Sequence, residues 1–325
     1  MFTGTLSPRR ERFRRGFFHP LLTEGTFVMK PPRNHALTLL IFLVAFSGCE
    51  KTIDVNLDPQ PTKLVVDGSI ENGHLPIVIL SKSLDYFSEI TPAILSNSFV
   101  HGAKVTVADG FRSNVLVEYS VHYNDTTTLY YYSTDTTSPG AAIFGAVNTR
   151  YYLTIEWDNK EYKANTLIPY VTKQIDSLWY KPAPDNPDTN LVQLWIRATD
   201  PKGYGDYVRY YTKRNNEPFY PGFNSVFDDQ IIDGTTYELP VDRGTSRNNQ
   251  REDDDSFFEK GDTVTLKLCN IDKATFEFWN SFEFSYQSVG NPFSSPTKVA
   301  SNISNGALGY FGGYAAQFRS IIIPK

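Results

Sequence analysis

An all-β fold is predicted for most of this chain, and three observations predict it. From residue 63 onward, short runs of β-branched and aromatic residues recur between clusters of turn residues. One pair of runs, 151–157 and 161–167, flanks the turn Asp158-Asn159-Lys160, the composition of a β-hairpin. Aromatic residues make up 14% of the 325 residues, with 20 Tyr, 23 Phe and 4 Trp, and these side chains favour pleated, half-buried surfaces.

The elements before the first strand concern targeting. Residues 43–49 read Leu-Val-Ala-Phe-Ser-Gly-Cys, an apolar run closed by small residues and a cysteine, the pattern of a lipoprotein signal peptide at its cleavage point. Lys30 and Arg33 supply the basic region before it, and the apolar stretch 36–46 is too short to span a bilayer as a helix. Cys49 carries the thiol expected to receive a diacylglycerol group. Signal peptides begin close to their basic patch, so Met29 is expected to be the initiator, with 1–28 as upstream sequence and 29–48 as the removed signal.

Seven basic and two acidic residues precede Cys49, so of the 31 Lys+Arg and 36 Asp+Glu the processed chain keeps 24 basic against 34 acidic. Such a surface is not expected to attract nucleic acid or anionic headgroups. Membrane attachment would come from acyl chains, each buried methylene contributing about 0.8 kcal/mol. Residues 49–63 form a tether, kept extended by Pro59 and Pro61.

The strands follow in order. Runs at 63–70, 77–81, 104–108, 115–119 and 129–133, then the hairpin, predict a β-sandwich over 64–168. Pro169 is the expected boundary of a larger β domain, 169–325, with strands at 175–180, 191–199, 207–213, 235–239, 263–269 and 317–323. Between the last two, Thr275, Trp279, Phe282 and Tyr286 fall on one helical face, although Phe276, Phe278, Phe282 and Phe284 also alternate as a strand would. A helix near 272–287 is favoured, because Asp272 suits an N-cap and Gly290-Asn291-Pro292 suits a stop.

Few residues point to chemistry. Of the 2 cysteines, Cys269 sits in an alternating strand and is expected to be buried and inert. His74, His101 and His122 are isolated, no nucleophile elbow, phosphate loop or HExxH pattern is present, and no metal or cofactor is expected. Asp253-Asp254-Asp255 and the pair Asp228-Asp229 with Asp233 could attract a divalent cation, but both read better as solvated loops. Gly306, Gly309, Gly312 and Gly313 read as a backbone turning tightly against aromatic neighbours. The features most suggestive of binding are aromatics in segments that Pro and Gly mark as loops: Phe219, Tyr220 and Phe223; Asn291 and Phe293; Tyr310 and Phe311.

The stretches Leu64-Val65-Val66-Asp67-Gly68-Ser69-Ile70, Tyr162-Lys163-Ala164 and Gly261-Asp262-Thr263-Val264 carry a resemblance. Its most specific part is Gly290-Asn291-Pro292-Phe293-Ser294-Ser295-Pro296, Ser301-Asn302-Ile303-Ser304-Asn305-Gly306 and Gly309-Tyr310-Phe311-Gly312-Gly313. Together they resemble an uncharacterised Bacteroidota outer-membrane lipoprotein family, domain of unknown function family 4249. The resemblance implies an N-terminal immunoglobulin-like part over 64–168 and a larger C-terminal β domain, an outer-membrane address, periplasmic or surface-facing, and genomic company with TonB-dependent receptors. It supplies no catalytic residues. The expected function is therefore a non-enzymatic binding or accessory component of TonB-dependent nutrient uptake, partnered by the membrane and an outer-membrane receptor. A cell-surface structural or adhesive protein is the alternative, and a hydrolase a distant third.

Overall fold

Alternation is visible from the first strand. In β1 (Leu64–Glu71), Leu64, Val66, Gly68 and Ile70 turn inward while Val65, Asp67 and Ser69 face the other way. The computed structural model describes residues 61–84, 91–124, 127–137, 140, 142–247, 253–289, 291, 293–295 and 297–325. The expected signal peptide, Met29, Cys49 and almost all of the tether lie outside the described residues.

The fold is all-β apart from two α-helices among the described residues, α1 (Pro92–Ser98) and α2 (Lys273–Gln287). Neither is long and apolar enough to cross a membrane. The strands of the first half are β1, β2 (Ile77–Lys82), β3 (Lys104–Ala108), β4 (Ser113–Asn124), β5 (Thr127–Ser133), β6 (Thr149–Trp157) and β7 (Lys160–Ile168). Those of the second are β8 (Gln174–Pro182), β9 (Leu191–Thr199), β10 (Tyr207–Arg214), β11 (Tyr220–Phe227), β12 (Thr236–Val241), β13 (Phe258–Glu259), β14 (Thr263–Ile271) and β15 (Leu308–Ile322). Eleven strands form one continuous sheet, in the order β11-β10-β14-β15-β1-β2-β5-β4-β3-β6-β7. In the second sheet β12 and β13 pair along one side of β9, and β8 pairs along the other.

The hairpin expected at 151–167 forms as β6–β7, with Trp157 opposite Lys160. Asp158 and Asn159 take φ values of 51° and 55°, the left-handed pair that a two-residue primed turn requires. Asn and Asp tolerate that region better than other residues carrying a Cβ.

Three apolar clusters hold the fold. The first lies inside the curled N-terminal strands and contains Val66, Val105, Leu153 and Ile155, but also Ile303, Phe311 and Ala315 from the far end of the chain. The second fills the space between β9 and the β10–β14 pair, with Leu194, Phe258, Val264 and Leu266 at its centre. The third joins α2 to the sheet through Cys269, Ile271, Phe278, Tyr310 and Tyr314. Strand β14 serves two of them by alternation: Val264, Leu266 and Leu268 enter the second cluster, Cys269 and Ile271 the third.

Strand β15 ties the halves together. It pairs antiparallel with β14 and parallel with β1, so residues 244 apart in sequence meet through the bond from the Ala316 amide to Asn72 Oδ1 at 2.6 Å. Two glycines permit this. Gly309 adopts φ +94°, and a Cβ there would sit 1.9 Å from the Val66 carbonyl oxygen. At Gly313 a Cβ would meet the Leu167 carbonyl at 2.7 Å, so β7 could not approach as it does.

Helix α2 begins where expected. Asp272 caps it, Oδ1 accepting from the Thr275 amide at 2.9 Å, while Oδ2 accepts from Thr166 Oγ1 and the Leu167 amide, both at 2.9 Å. One carboxylate thus starts the helix and fixes it to β7. Thr275, Trp279 and Phe282 face the sheet as their spacing predicts, whereas Tyr286 is 41% exposed; Phe278 joins the buried face, stacked on Tyr310 with centroids 4.4 Å apart.

Two segments expected to be loops are strands. Tyr220–Phe227 is β11, and Tyr310 to Tyr314 lie within β15. Pro221 is accommodated because β11 is at the edge of its sheet, where a missing N–H breaks no ladder on the outer side.

Cys269 is buried, and desolvation pushes its thiol up to about 12. The thiolate needed for attack therefore forms only far above neutral pH in the folded state. We expect a Cys49→Ser chain to react negligibly with Ellman's reagent at pH 8 and to release one equivalent of thiol once unfolded in guanidinium. Fast reaction of the native protein would contradict the buried placement.

Candidate functional site

A pocket of about 620 Å³ opens beside the second cluster. Its floor is Val208 and Tyr210 of β10 with Leu266 and Leu268 of β14. One wall is Ile196 of β9 with Tyr237, Leu239, Pro240 and Val241 of β12. The other is Val226 and Phe227 of β11, with Phe276 and Asn280 of α2. Asp228, Gln230, Ile231 and Ile232 of the β11–β12 connection form the rim. The inner residues come from strands whose alternation points them between the two sheets.

Apolar surface at the mouth is uncovered. Ile231 is 95% exposed, Phe227 41% and Leu239 39%, which is costly unless something covers them. Polar groups are few: the Asp228 carboxyl, the Gln230 and Asn280 amides, and the Tyr237 hydroxyl. Burial first, then the charges of Asp200 and Asp176, raise Tyr237 to about 12, so it remains a neutral donor. An apolar interior with a handful of polar groups is the composition of a small-molecule site. None of the lining residues is Ser, Cys, His or Lys; the ionisable ones are Asp228, Tyr210 and Tyr237.

The rim is held by a carboxylate knot that the sequence did not reveal. Asp200, Asp206 and Asp229 bring carboxylate oxygens within 4.8 Å of one another, and Asp200 and Asp229 are buried. Asp229 Oδ2 accepts from the Gly205 and Asp206 amides at 2.8 and 3.0 Å. Asp233 Oδ1 accepts from the Gly203 amide at 2.6 Å, and the Asp200 amide donates to the Thr235 carbonyl at 2.9 Å. Loop 200–206 and loop 228–235 are thereby stitched together. Lys173, fully buried, places Nζ 3.1 Å from Asp200 Oδ1 and 2.9 Å from the Asp206 carbonyl oxygen. The three carboxylates could offer oxygens to a hard cation, but this ammonium already supplies a positive charge among them. Asp229 is therefore not the solvated loop residue its neighbours suggested.

The aromatics expected at partner-contact loops are not brought together. Tyr310 and Phe311 are buried, at 5% and 0% exposure, in the third and first clusters. Phe219 lies against Phe318 with centroids 5.8 Å apart and has Lys213 and Lys267 near its ring. Tyr220 is half-buried, and Phe223 is 37% exposed with its carbonyl accepting from Gln287 Nε2 at 3.3 Å. Phe293 is 95% exposed, and Asn291 Oδ1 accepts from its amide at 3.0 Å. Cys49 lies outside the described residues.

Sequence reasoning missed Lys173, Asp200, Ile231 and Leu239. The one local signal was the spacing of Asp200 and Asp206 around two glycines; Lys173 and Asp229 reach them only through the fold.

A family model described as "Domain of unknown function (DUF4249)" matches residues 50–319. No curated protein matches the chain in sequence.

Proposed function

We propose, from the premise that this chain belongs to the family described as Domain of unknown function (DUF4249), that it is a non-enzymatic binding protein anchored to the outer membrane by lipid on Cys49. In this reading it serves as an accessory component of TonB-dependent nutrient uptake. The observation that carries the binding role is the open apolar pocket, with uncovered Ile231 and Leu239 at its mouth and no Ser, Cys, His or Lys in its lining. The lipobox ending at Cys49 supports the anchor, and a tether of some 14 residues, spanning at most about 50 Å, keeps the β fold near the membrane. Fold alone supports no function, because β-sandwiches host many.

Metabolic labelling with an alkyne palmitate tests the anchor. Label is expected on the wild type and lost in Cys49→Ala, which should also leave the detergent phase for the aqueous one; label surviving in Cys49→Ala refutes lipidation there. Affinity capture from mildly solubilised membranes tests the uptake role and should recover an outer-membrane β-barrel receptor. Its repeated absence counts decisively against that role.

A second reading, a cell-surface structural or adhesive protein, rests on one observation. Val115, Val117 and Val121 of β4 and Ile77 of β2 are 53%, 37%, 49% and 46% exposed, an apolar outer row suited to protein contact. Protease shaving of intact cells separates the readings, since a protein shielded from external protease cannot be an adhesin.

A further inference from the structure

Alternation turns the cations that adjoin the apolar pocket in sequence away from it. Arg197 stands between Ile196 and Ala198 on β9, Arg209 between Val208 and Tyr210 on β10, and Lys267 between Leu266 and Leu268 on β14, so each points to the face opposite the lining. There each has its own company: Arg197 pairs with Glu238, Lys267 with Glu71, and the Arg209 guanidinium lies over the Trp279 ring. No Lys, Arg or His is left in the lining. Lys202, whose stem lies beside Gly234 of the β11–β12 connection, is exposed and outside it, and Lys173 is held by Asp200.

The charge that remains is negative. Asp228 is half-buried at the rim and joins no ion pair among the described residues; the bond from the Gln230 amide to its Oδ1 is long, at 3.4 Å. Deeper in, the Tyr237 hydroxyl feels the same sign, since the charges that add to burial in pushing it up to about 12 are those of Asp200 and Asp176. An anionic ligand would lose its water beside a carboxylate with no cation to receive it, which is costly. A cationic head gains at the same place, and the Phe227 and Tyr237 rings favour that sign too. The volume of about 620 Å³ suits a small molecule, whose sites span roughly 300–1,000 Å³.

We propose that the pocket takes an amphipathic amine, its apolar body lodged between the two sheets and its single ammonium head held at Asp228. The exposed Ile231 and Leu239 then lie against the body where it leaves the interior. This ligand class presupposes that the pocket is the binding site and adds to that reading the sign of the ligand's charge.

Three eight-carbon probes of similar shape test it: octylammonium, 1-octanol and octanoate, each displacing the neutral dye N-phenyl-1-naphthylamine from the full processed protein at neutral pH and low salt. Octylammonium should bind about threefold to tenfold more tightly than 1-octanol, with octanoate the weakest. Added sodium chloride should narrow that gap. Asp228→Asn, which can still accept the Gln230 amide, should bring octylammonium to the level of 1-octanol. Ile231→Lys, at a residue 95% exposed, should reverse the order of the two charged probes and so tie the response to this pocket. If 1-octanol binds and octylammonium binds no more tightly, or octanoate binds best, the amine assignment is overturned while the pocket stands as the binding site. If neither the dye nor any probe binds, both readings fall. A full preference for the amine in folded Asp228→Asn overturns the placement of the head at Asp228. The order of the probes on the wild type decides the sign of charge even where a variant fails to fold.

Discussion

Replacing Lys173 with methionine is expected to lower the unfolding free energy by about 3–5 kcal/mol, because it strips the ammonium from a carboxylate that has no water to turn to. Lys173 and Asp200 both have fully buried side chains at 3.1 Å, and Asp206 and Asp229 crowd the same point. Without the ammonium, Asp200 must hold its charge in the interior or take up a proton, and either costs stability. For a unit of this size the shift in melting temperature should be about 6–15 °C. Lys173→Met/Asp200→Asn should recover a large part of the loss, since it removes the orphaned charge along with its partner. A single variant as stable as the wild type would show that water reaches Asp200 and that the knot is not buried. The same knot stitches the loop carrying Ile231, so weakened ligand binding at the pocket should accompany any partial loss of stability.

Phe311→Ala is the second large effect, expected to cost about 3–5 kcal/mol through lost burial and the cavity left behind. Phe311 is fully buried in the first cluster, and its ring edge would lie 3.0 Å from a Cβ placed at Gly68 of the neighbouring β1. Phe293→Ala, at a residue 95% exposed, should change stability by less than about 0.5 kcal/mol. Chemical denaturation of the two variants side by side checks the assignment. Equal effects would mean that the C-terminal aromatics are not divided between core and surface as described. The comparison matters because the sequence presents both residues alike, as aromatics beside Gly or Pro.

How far the chain could be read depended on the range of the interaction. The hairpin at 151–167 was legible because Asp158 and Asn159 form a turn between runs that pair directly with each other. Helix α2 was legible because Asp272 and the i, i+3, i+4 spacing of Thr275, Trp279 and Phe282 lie within a few turns. Strand β11 was misread as a loop because Pro221 and Gly222 ordinarily interrupt strands; only its edge position, set by β10, makes them acceptable. Tyr310 and Phe311 were misread because Gly309, Gly312 and Gly313 suggest a loop, whereas they permit β1, β7 and α2 to approach β15 closely.

The all-β class, the hairpin, the capped helix and the inert Cys269 therefore follow from residues that are neighbours in sequence, where alternation and capping act over a few bonds. The pocket and the Lys173 knot arise between segments tens of residues apart, and β15 joins residues 244 apart. No local pattern encodes these meetings. Burial turns Lys173 from an ordinary surface cation into a group whose every partner matters, and burial is decided only when the sheets close on one another.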